Sequence, residues 1–269
     1  MNKAVVLARG LGTRMRREDP AARLDAEQEA VAASGLKAMI SVGRPFLDYV
    51  LSGLADAGYG EACLVIGPEH ESVVERYSRV APPRRIQAHF AVQAKPLGTA
   101  DAVLAAEPFA VGEDFLCINS DNLYPTAVLM EMRAVGEPAI ALFSWQTLLE
   151  KGNISEEKIR KYAICEVAAD GYLRDIVEKP SESVWTAASG SLLISMNCWR
   201  FSSAIFEACR RAHVSPRREY ELPVAVGDAV RNSGMRLRVV RCGEGVLDLS
   251  SRSDVAEVAA RLKGVPAEP

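Results

Sequence analysis

The chain lacks most of the features that would assign it quickly to a class. Its 269 residues hold six cysteines, at 63, 117, 165, 198, 209 and 242, with no Cys-x-x-Cys pair and no Cys/His spacing, so neither a structural zinc nor a disulfide framework is expected. Most of these cysteines lie in apolar runs, where a free thiol behaves as a small hydrophobe. No apolar run reaches the roughly 18 residues of a membrane span, and the first residues lead into a strand pattern instead of a charged-then-apolar leader. A cytoplasmic protein with no membrane partner is therefore expected. The net charge of −3 argues against a general nucleic-acid surface, so an anionic ligand must be met by local positive charge. Internal repeats and low-complexity tracts are missing. Two familiar nucleotide signatures are missing as well. No Gly-Lys-Ser/Thr ending of a P-loop occurs, and Met15 stands where the dinucleotide fingerprint needs its third glycine.

What is present is ordinary globular usage, 49% hydrophobic and 25% charged, enough to bury a substantial core in one α/β domain over 1–269. Apolar or β-branched runs at 4–8, 61–66, 85–92, 115–118, 139–144, 162–167, 172–178, 190–196 and 236–241 read as strands. Helical patterns fall at 45–57, 69–79, 99–106, 126–134, 201–212, 221–233 and 252–263. Such alternation implies a mainly parallel sheet with helices on both faces, a Rossmann-like three-layer sandwich. Asp170-Gly171 between two strand-like runs signals a hairpin, which makes the sheet mixed. The Ala- and Glu-rich segment 21–34 reads as an inserted surface helix, a lid or merely a solvated element. The last residues, 265–269, read as a disordered tail.

Three constellations carry chemistry. Leu7-Ala8-Arg9-Gly10-Leu11-Gly12-Thr13-Arg14 follows at once on the apolar run Ala4–Leu7. It reads as a strand emptying into a cationic, glycine-rich turn that can cradle phosphate, although a glycine turn after a first strand is an equally good bland reading. Phe115-Leu-Cys-Ile-Asn-Ser-Asp121 runs from an apolar strand to a carboxylate, and Gly245-Val-Leu leads likewise to Asp248. Open α/β sheets place ligands at the carboxyl ends of strands, and two such acids can share one Mg²⁺ with phosphate oxygens and water. Taken singly, Asp121 reads as a turn residue and Asp248 as a helix cap; the pair beside a phosphate loop favours the metal. Lys37, in the apolar setting Leu36 to Val42, and Lys179, between Glu178 and Pro180, are ammonium groups whose setting suggests an assigned anionic partner, against surface snorkelling.

In this order the residues resemble the sugar-1-phosphate nucleotidyltransferases, the nucleoside-diphosphate-sugar pyrophosphorylases. The family's Ala-Gly-Gly-x-Gly-Thr-Arg loop resembles Ala8–Arg14, with Arg9 where glycine is common. Its Pro-Lys-Pro-Leu resembles Leu36-Lys37-Ala38-Met39, its base-reading Gln and downstream Gly resemble Gln93 and Gly98, and its Gly-Asp-Asn resembles Ser120-Asp121-Asn122. Glu-Lys-Pro is intact at 178–180, Arg-Gly-Glu resembles Arg217-Arg218-Glu219, and the closing Asp-x-Gly-Thr-x-x-Asp resembles Asp248 through Asp254. The resemblance implies the nucleotide-diphospho-sugar transferase fold and attack of a sugar 1-phosphate on the α-phosphorus of a nucleoside triphosphate. It further implies that Leu7, Ala8, Arg9, Gly10, Leu11, Gly12, Thr13, Arg14, Gln93, Gly98, Thr99 and Asp121 bind the nucleotide. Arg14, Lys37 and Asp121 would act in catalysis, and Asn122, Tyr162, Glu178, Lys179, Gly190 and Arg217 would bind the sugar phosphate. Mg²⁺ on Asp121 and Asp248 would be the cofactor. Relatives that assemble make a homo-oligomer conceivable.

Departures from the family pattern point to a remodelled sugar pocket. Ala163, Arg218 and Ser250 stand where glycine is common, and each removes space and freedom at positive φ. The base stays open, because an amide can turn either its donor or its acceptor toward a pyrimidine; uracil and thymine are favoured over cytosine. Two other functions fit less well. A metal-dependent glycosyltransferase would normally show Asp-x-Asp, where Asp121 is followed by Asn122 and Leu123. A catalytically silent nucleotide-sugar-binding regulator would not need Arg14, Lys37, Asp121 and Asp248 together.

Overall fold

Uncharged runs such as Ala4-Val5-Val6 and Cys63-Leu64-Val65 can face water on neither side, so they form inner strands of a sheet covered on both faces. The computed structural model of the chain describes residues 1–187, 193–215 and 218–269. Among them eleven strands occur: β1 Lys3–Leu7, β2 Glu61–Ile66, β3 Gln87–Val92, β4 Phe115–Asn119, β5 Asn122–Leu123, β6 Ala139–Ser144, β7 Ala163–Val167, β8 Leu173–Val177, β9 Leu193–Phe201, β10 Arg238–Cys242 and β11 Leu247–Asp248. The central sheet runs β10-β6-β9-β4-β1-β2-β3, with the β7–β8 hairpin attached through β9. Strands β3, β2, β1 and β4 are mutually parallel, whereas β9 lies antiparallel to β4, β6 and β7. The sheet is therefore mixed, as the Asp170-Gly171 turn predicts.

Alternation along β1 shows the layering. Ala4 and Val6 enter a core shared with helices Phe46–Asp56 and Thr126–Ala134, while Val5 enters the opposite core with Thr99–Ala105, Ala204–Arg210 and Leu222–Ser233. This is the expected three-layer sandwich. Beyond the carboxyl end of β4 the chain turns into β5, which pairs antiparallel with β11, setting Asp248 opposite Asn122.

Several boundaries differ from the sequence reading. The inserted helix spans Ala26–Ser34 and not the whole of 21–34, because Asp25 caps it by accepting from Gln28 N while the Gln28 side chain accepts from Asp25 N. Strand β9 extends to Phe201, where a helix was expected to begin, with Asn197 at φ 59° taking up the register change against β6. The short helices Trp145–Lys151, Glu156–Ile159 and Glu182–Ala187 were not foreseen. The tail expected to be disordered is tied down. The Pro269 carbonyl accepts from Arg84 N at 2.7 Å and Arg85 N at 3.3 Å. Ala267 is buried with its carbonyl accepting from Arg44 Nη1 at 2.9 Å, and Glu268 N donates to Ser52 Oγ at 3.1 Å. Among the described residues no helix is long and apolar enough to cross a membrane.

Candidate active site

The carboxyl ends of β1, β3 and β4 open into one cavity of about 360 Å³, lined among others by Arg9, Gly10, Gly12, Arg14, Lys37, Gln93, Gly98, Asp121 and Ser250. Its floor is the loop after β1. Ala8 N is spent on the Val65 carbonyl at 2.8 Å and Ala8 turns toward the core, whereas the backbone N–H groups of Arg9, Gly10, Leu11 and Gly12 donate no hydrogen bond among the described residues. Free N–H groups in a glycine turn form an anion-binding concavity. Gly12, at φ 61°, caps the short helix Thr13–Arg16, and a Cβ there would lie 2.3 Å from the Gly35 carbonyl oxygen. Only glycine permits that approach, which brings the loop against the segment carrying Lys37.

At the β4 end, the Lys37 ammonium pairs with Asp121 Oδ2. Asp248 lies behind them and is almost fully buried. Its Oδ1 accepts from Asn122 Nδ2 at 3.0 Å, and its Oδ2 accepts from Ser250 Oγ at 2.5 Å and from Lys158 Nζ at 3.4 Å. Burial, and next the charge of the nearby Asp121, push the Asp248 carboxyl above its ordinary range, while Lys158 and Ser250 pull the other way. Two strand-end carboxylates thus lie within electrostatic reach of each other, 127 residues apart in sequence. Carboxylate oxygens are the hard donors that a divalent cation of the Mg²⁺ class takes. Among the described residues no group of three or more His, Cys, Asp or Glu could hold a metal, so phosphate oxygens and water would have to complete the coordination. Lys158 was missed by sequence reasoning. The signal for its helix was Ser155, an N-cap followed by two glutamates, with its Oγ accepting from Lys158 N.

Asn122, expected at the substrate, is instead buried and holds Asp248. Tyr162 lies near the same acids; its hydroxyl is buried with no hydrogen-bond partner among the described residues, and burial foremost, then the charges of Asp248 and Asp121, raise the phenol well above its usual value. Lys179 adopts φ 46°, and its ammonium reaches Glu221 Oε1 at 3.2 Å and Glu178 Oε1 at 3.5 Å. A non-glycine residue held in the left-handed region is strained and clusters at functional sites. Of the three residues replacing family glycines, Arg218 also sits at φ 61°, Ser250 caps Asp248, and Ala163 is an ordinary strand residue facing Ser195. Gly190 and Arg217 fall outside the described residues.

At the β3 end, Gln93 is buried. Its Nε2 donates to the Gly98 carbonyl at 3.0 Å and to Asp101 Oδ2 at 2.7 Å. Gly98 is wedged against Tyr220, whose carbonyl oxygen would lie 2.5 Å from an added Cβ. Thr99 supports the wall from behind, its Oγ1 accepting from Leu222 N at 2.8 Å.

A glycine turn, a lysine–aspartate pair, a second, buried acid and a glutamine amide fixed by Gly98 and Asp101 thus come together around one cavity, and residues 3–263 match the nucleotidyl transferase family. The chain belongs to that family. Among known proteins it is similar to UTP–glucose-1-phosphate uridylyltransferase AglF of Haloferax volcanii, 28% identical over 264 residues that cover 97% of this chain and 96% of that one. It is also similar to glucose-1-phosphate thymidylyltransferase of Streptomyces griseus, 28% identical over 83% of this chain, which spans only 56% of that protein. A solved UDP-glucose pyrophosphorylase complexed with UDP-glucose superposes with a TM-score of 0.71 at 18% identity, covering 98% of both chains, a likeness of fold.

Proposed function

We propose that this chain transfers a nucleotidyl group from UTP or dTTP to a sugar 1-phosphate, releasing pyrophosphate and an NDP-sugar. The observation that carries the reading is the single cavity with an amide recess at its β3 end and the Lys37–Asp121 pair at its β4 end, joined by the cationic glycine loop. A base lies by Gln93 and Gly98, and the triphosphate lies along residues 9–14. An oxygen of the sugar phosphate attacks the α-phosphorus in line. A new P–O bond forms, the bond to the bridging oxygen breaks, and pyrophosphate leaves with that electron pair. Such transfer needs positioning and charge stabilisation more than covalent help. Loop N–H groups and Arg14 hold the phosphates, and the Lys37 ammonium neutralises charge where the α-phosphate and pyrophosphate separate. Lys179, steadied by Glu178 and Glu221, takes the incoming phosphate, and Glu178 takes sugar hydroxyls. Asp121 and Asp248 would hold Mg²⁺, which supplies charge neutralisation to the triphosphate when bound.

Pyrophosphate release, measured for a panel of triphosphates crossed with sugar 1-phosphates, tests the reading. Release is expected with UTP or dTTP and a hexose 1-phosphate. Nucleotide binding without turnover would show a silent regulator, and hydrolysis or transfer from an NDP-sugar without pyrophosphate would show a glycosyltransferase.

A further inference from the structure

Asp248 is gripped from outside its own strand by one segment, the two short helices and the turn between them that follow β6. Asn153 pairs with its backbone in both directions, Nδ2 donating to the Asp248 carbonyl at 2.9 Å and Oδ1 accepting from Asp248 N at 2.7 Å. Close backbone packing fixes this grip. A Cβ on Gly245 would lie 2.2 Å from the Lys151 carbonyl carbon, and one on Gly152 would lie 2.9 Å from the Val246 carbonyl oxygen. A little further along, the helix Glu156–Ile159 brings the Lys158 ammonium to 2.5 Å from Asp254 Oδ1 and 3.4 Å from Asp248 Oδ2. All three side chains are largely buried, where a charge stripped of its partner is costly.

The ammonium is shared unevenly. Asp254 is engaged by its own turn, its Oδ2 accepting from Ser250 N at 3.0 Å and from Ser251 N at 2.7 Å, while its Oδ1 anchors Lys158. Asp248 takes only the long end of the pair. With Lys37 on Asp121, each of the two acids read as cation ligands carries an ammonium of its own, and two lysines face three carboxylates. Such a site is held in shape when empty and offers a free divalent cation little net charge.

We propose that Lys158 is a positioning residue that serves as the resident counter-charge of Asp248: it keeps that acid in place while no cation is bound, and its charge lowers the affinity of the site for a free divalent cation. The inference rests on the nucleotidyl-transfer reading only in taking Asp121 and Asp248 as the acids for Mg²⁺. Asn153 does a separate job, fixing the Asp248 backbone without adding charge, so the two contributions differ in sign. Removing the Lys158 charge tightens cation binding, whereas removing the Asn153 mount weakens it.

The experiment titrates Mn²⁺ into the protein without nucleotide, following the free ion by electron paramagnetic resonance, and measures pyrophosphate release separately. Lys158→Met, close to lysine in length but uncharged, should bind Mn²⁺ about 10-fold or more tightly than the wild type. Without metal it should melt lower, and excess Mn²⁺ should raise its melting temperature by more than it raises that of the wild type. Lys158→Gln, which can still donate to Asp254, should also tighten Mn²⁺ binding and carries the test if the methionine variant does not fold. Lys158→Arg, which keeps the charge, should bind Mn²⁺ as the wild type does, and Asn153→Ala should bind it about tenfold more weakly. Adding Asp121→Asn or Asp248→Asn to Lys158→Met should abolish the gain. Unchanged or weaker Mn²⁺ binding in the folded uncharged variants overturns the proposal, as does a gain that survives Asp121→Asn. Tighter Mn²⁺ binding with no pyrophosphate release from any triphosphate would leave the counter-charge role intact and remove nucleotidyl transfer; release with Mn²⁺ binding unaltered by Lys158→Met would do the reverse.

Discussion

Replacing Gly12 by alanine tests whether backbone packing against Gly35 sets the shape of the phosphate loop. The added Cβ would lie 2.3, 2.6 and 2.8 Å from the oxygen, Cα and carbonyl carbon of Gly35. The left-handed backbone at φ 61° costs alanine about 1 kcal/mol. Every atom it meets is backbone, so no side chain can rotate away, and separating the two segments costs a further ~1–3 kcal/mol. The sum, ~2–4 kcal/mol, lowers the melting temperature by roughly 4–12 °C for a chain of this size. The same displacement shifts Lys37, whose N donates to the Gly35 carbonyl at 2.9 Å, so UTP affinity should fall by about tenfold or more. Gly112→Ala is the control: it has φ 75° but meets nothing within 4 Å, so it carries only the conformational cost, roughly 2–3 °C. Thermal unfolding followed by circular dichroism, with calorimetric titration of UTP, reads both effects. If Gly12→Ala melts like Gly112→Ala and binds UTP as wild type does, the close approach does not shape the loop.

Asp121→Asn and Asp248→Asn should each abolish most pyrophosphate release at ordinary Mg²⁺ and regain part of it as Mg²⁺ is raised, with the double variant little worse than either. Activity indifferent to divalent cations would refute their shared role. Deleting residues 267–269 removes the acceptors of Arg84 N, Arg85 N and Arg44 and should cost about 1–3 kcal/mol, seen as a lower melting temperature; an unchanged melt would show that the docked tail contributes nothing.

The strand ends that carry Asp121 and the glycine loop were legible because an uncharged run stopping at polar residues records both a buried strand and its exit into a crevice. Glu156–Ile159 and Trp145–Lys151 were not, since one or two helical turns hold too few residues to show a period. The amide direction of Gln93 could not be read either. An isolated glutamine is symmetric in hydrogen bonding, and what breaks the symmetry is Asp101, brought close only by the turn through Gly98. Asn122 was misplaced for a related reason: its neighbour Asp121 faces the cavity, and only the β5–β11 pairing turns the asparagine to Asp248. Arg9 was read as a member of the nucleotide loop and as a departure from glycine, but its pairing was not legible, because its anchor, Glu69, belongs to the turn after another strand.

The β5–β11 ribbon also bears on how the protein comes into being. Strands β1 to β4 lie within the first 119 residues and pair in parallel with one another, so a growing chain can assemble the glycine loop, Lys37 and Gln93 early. Asp248 joins Asn122 only after residue 248 has been synthesised. Until then the nascent polypeptide carries half a site, with Asp121 held by Lys37 alone, and closing it requires a contact between distant parts of the chain, a slow class of folding event. In the proposed mechanism, catalytic competence therefore waits on this late contact between distant parts of the chain.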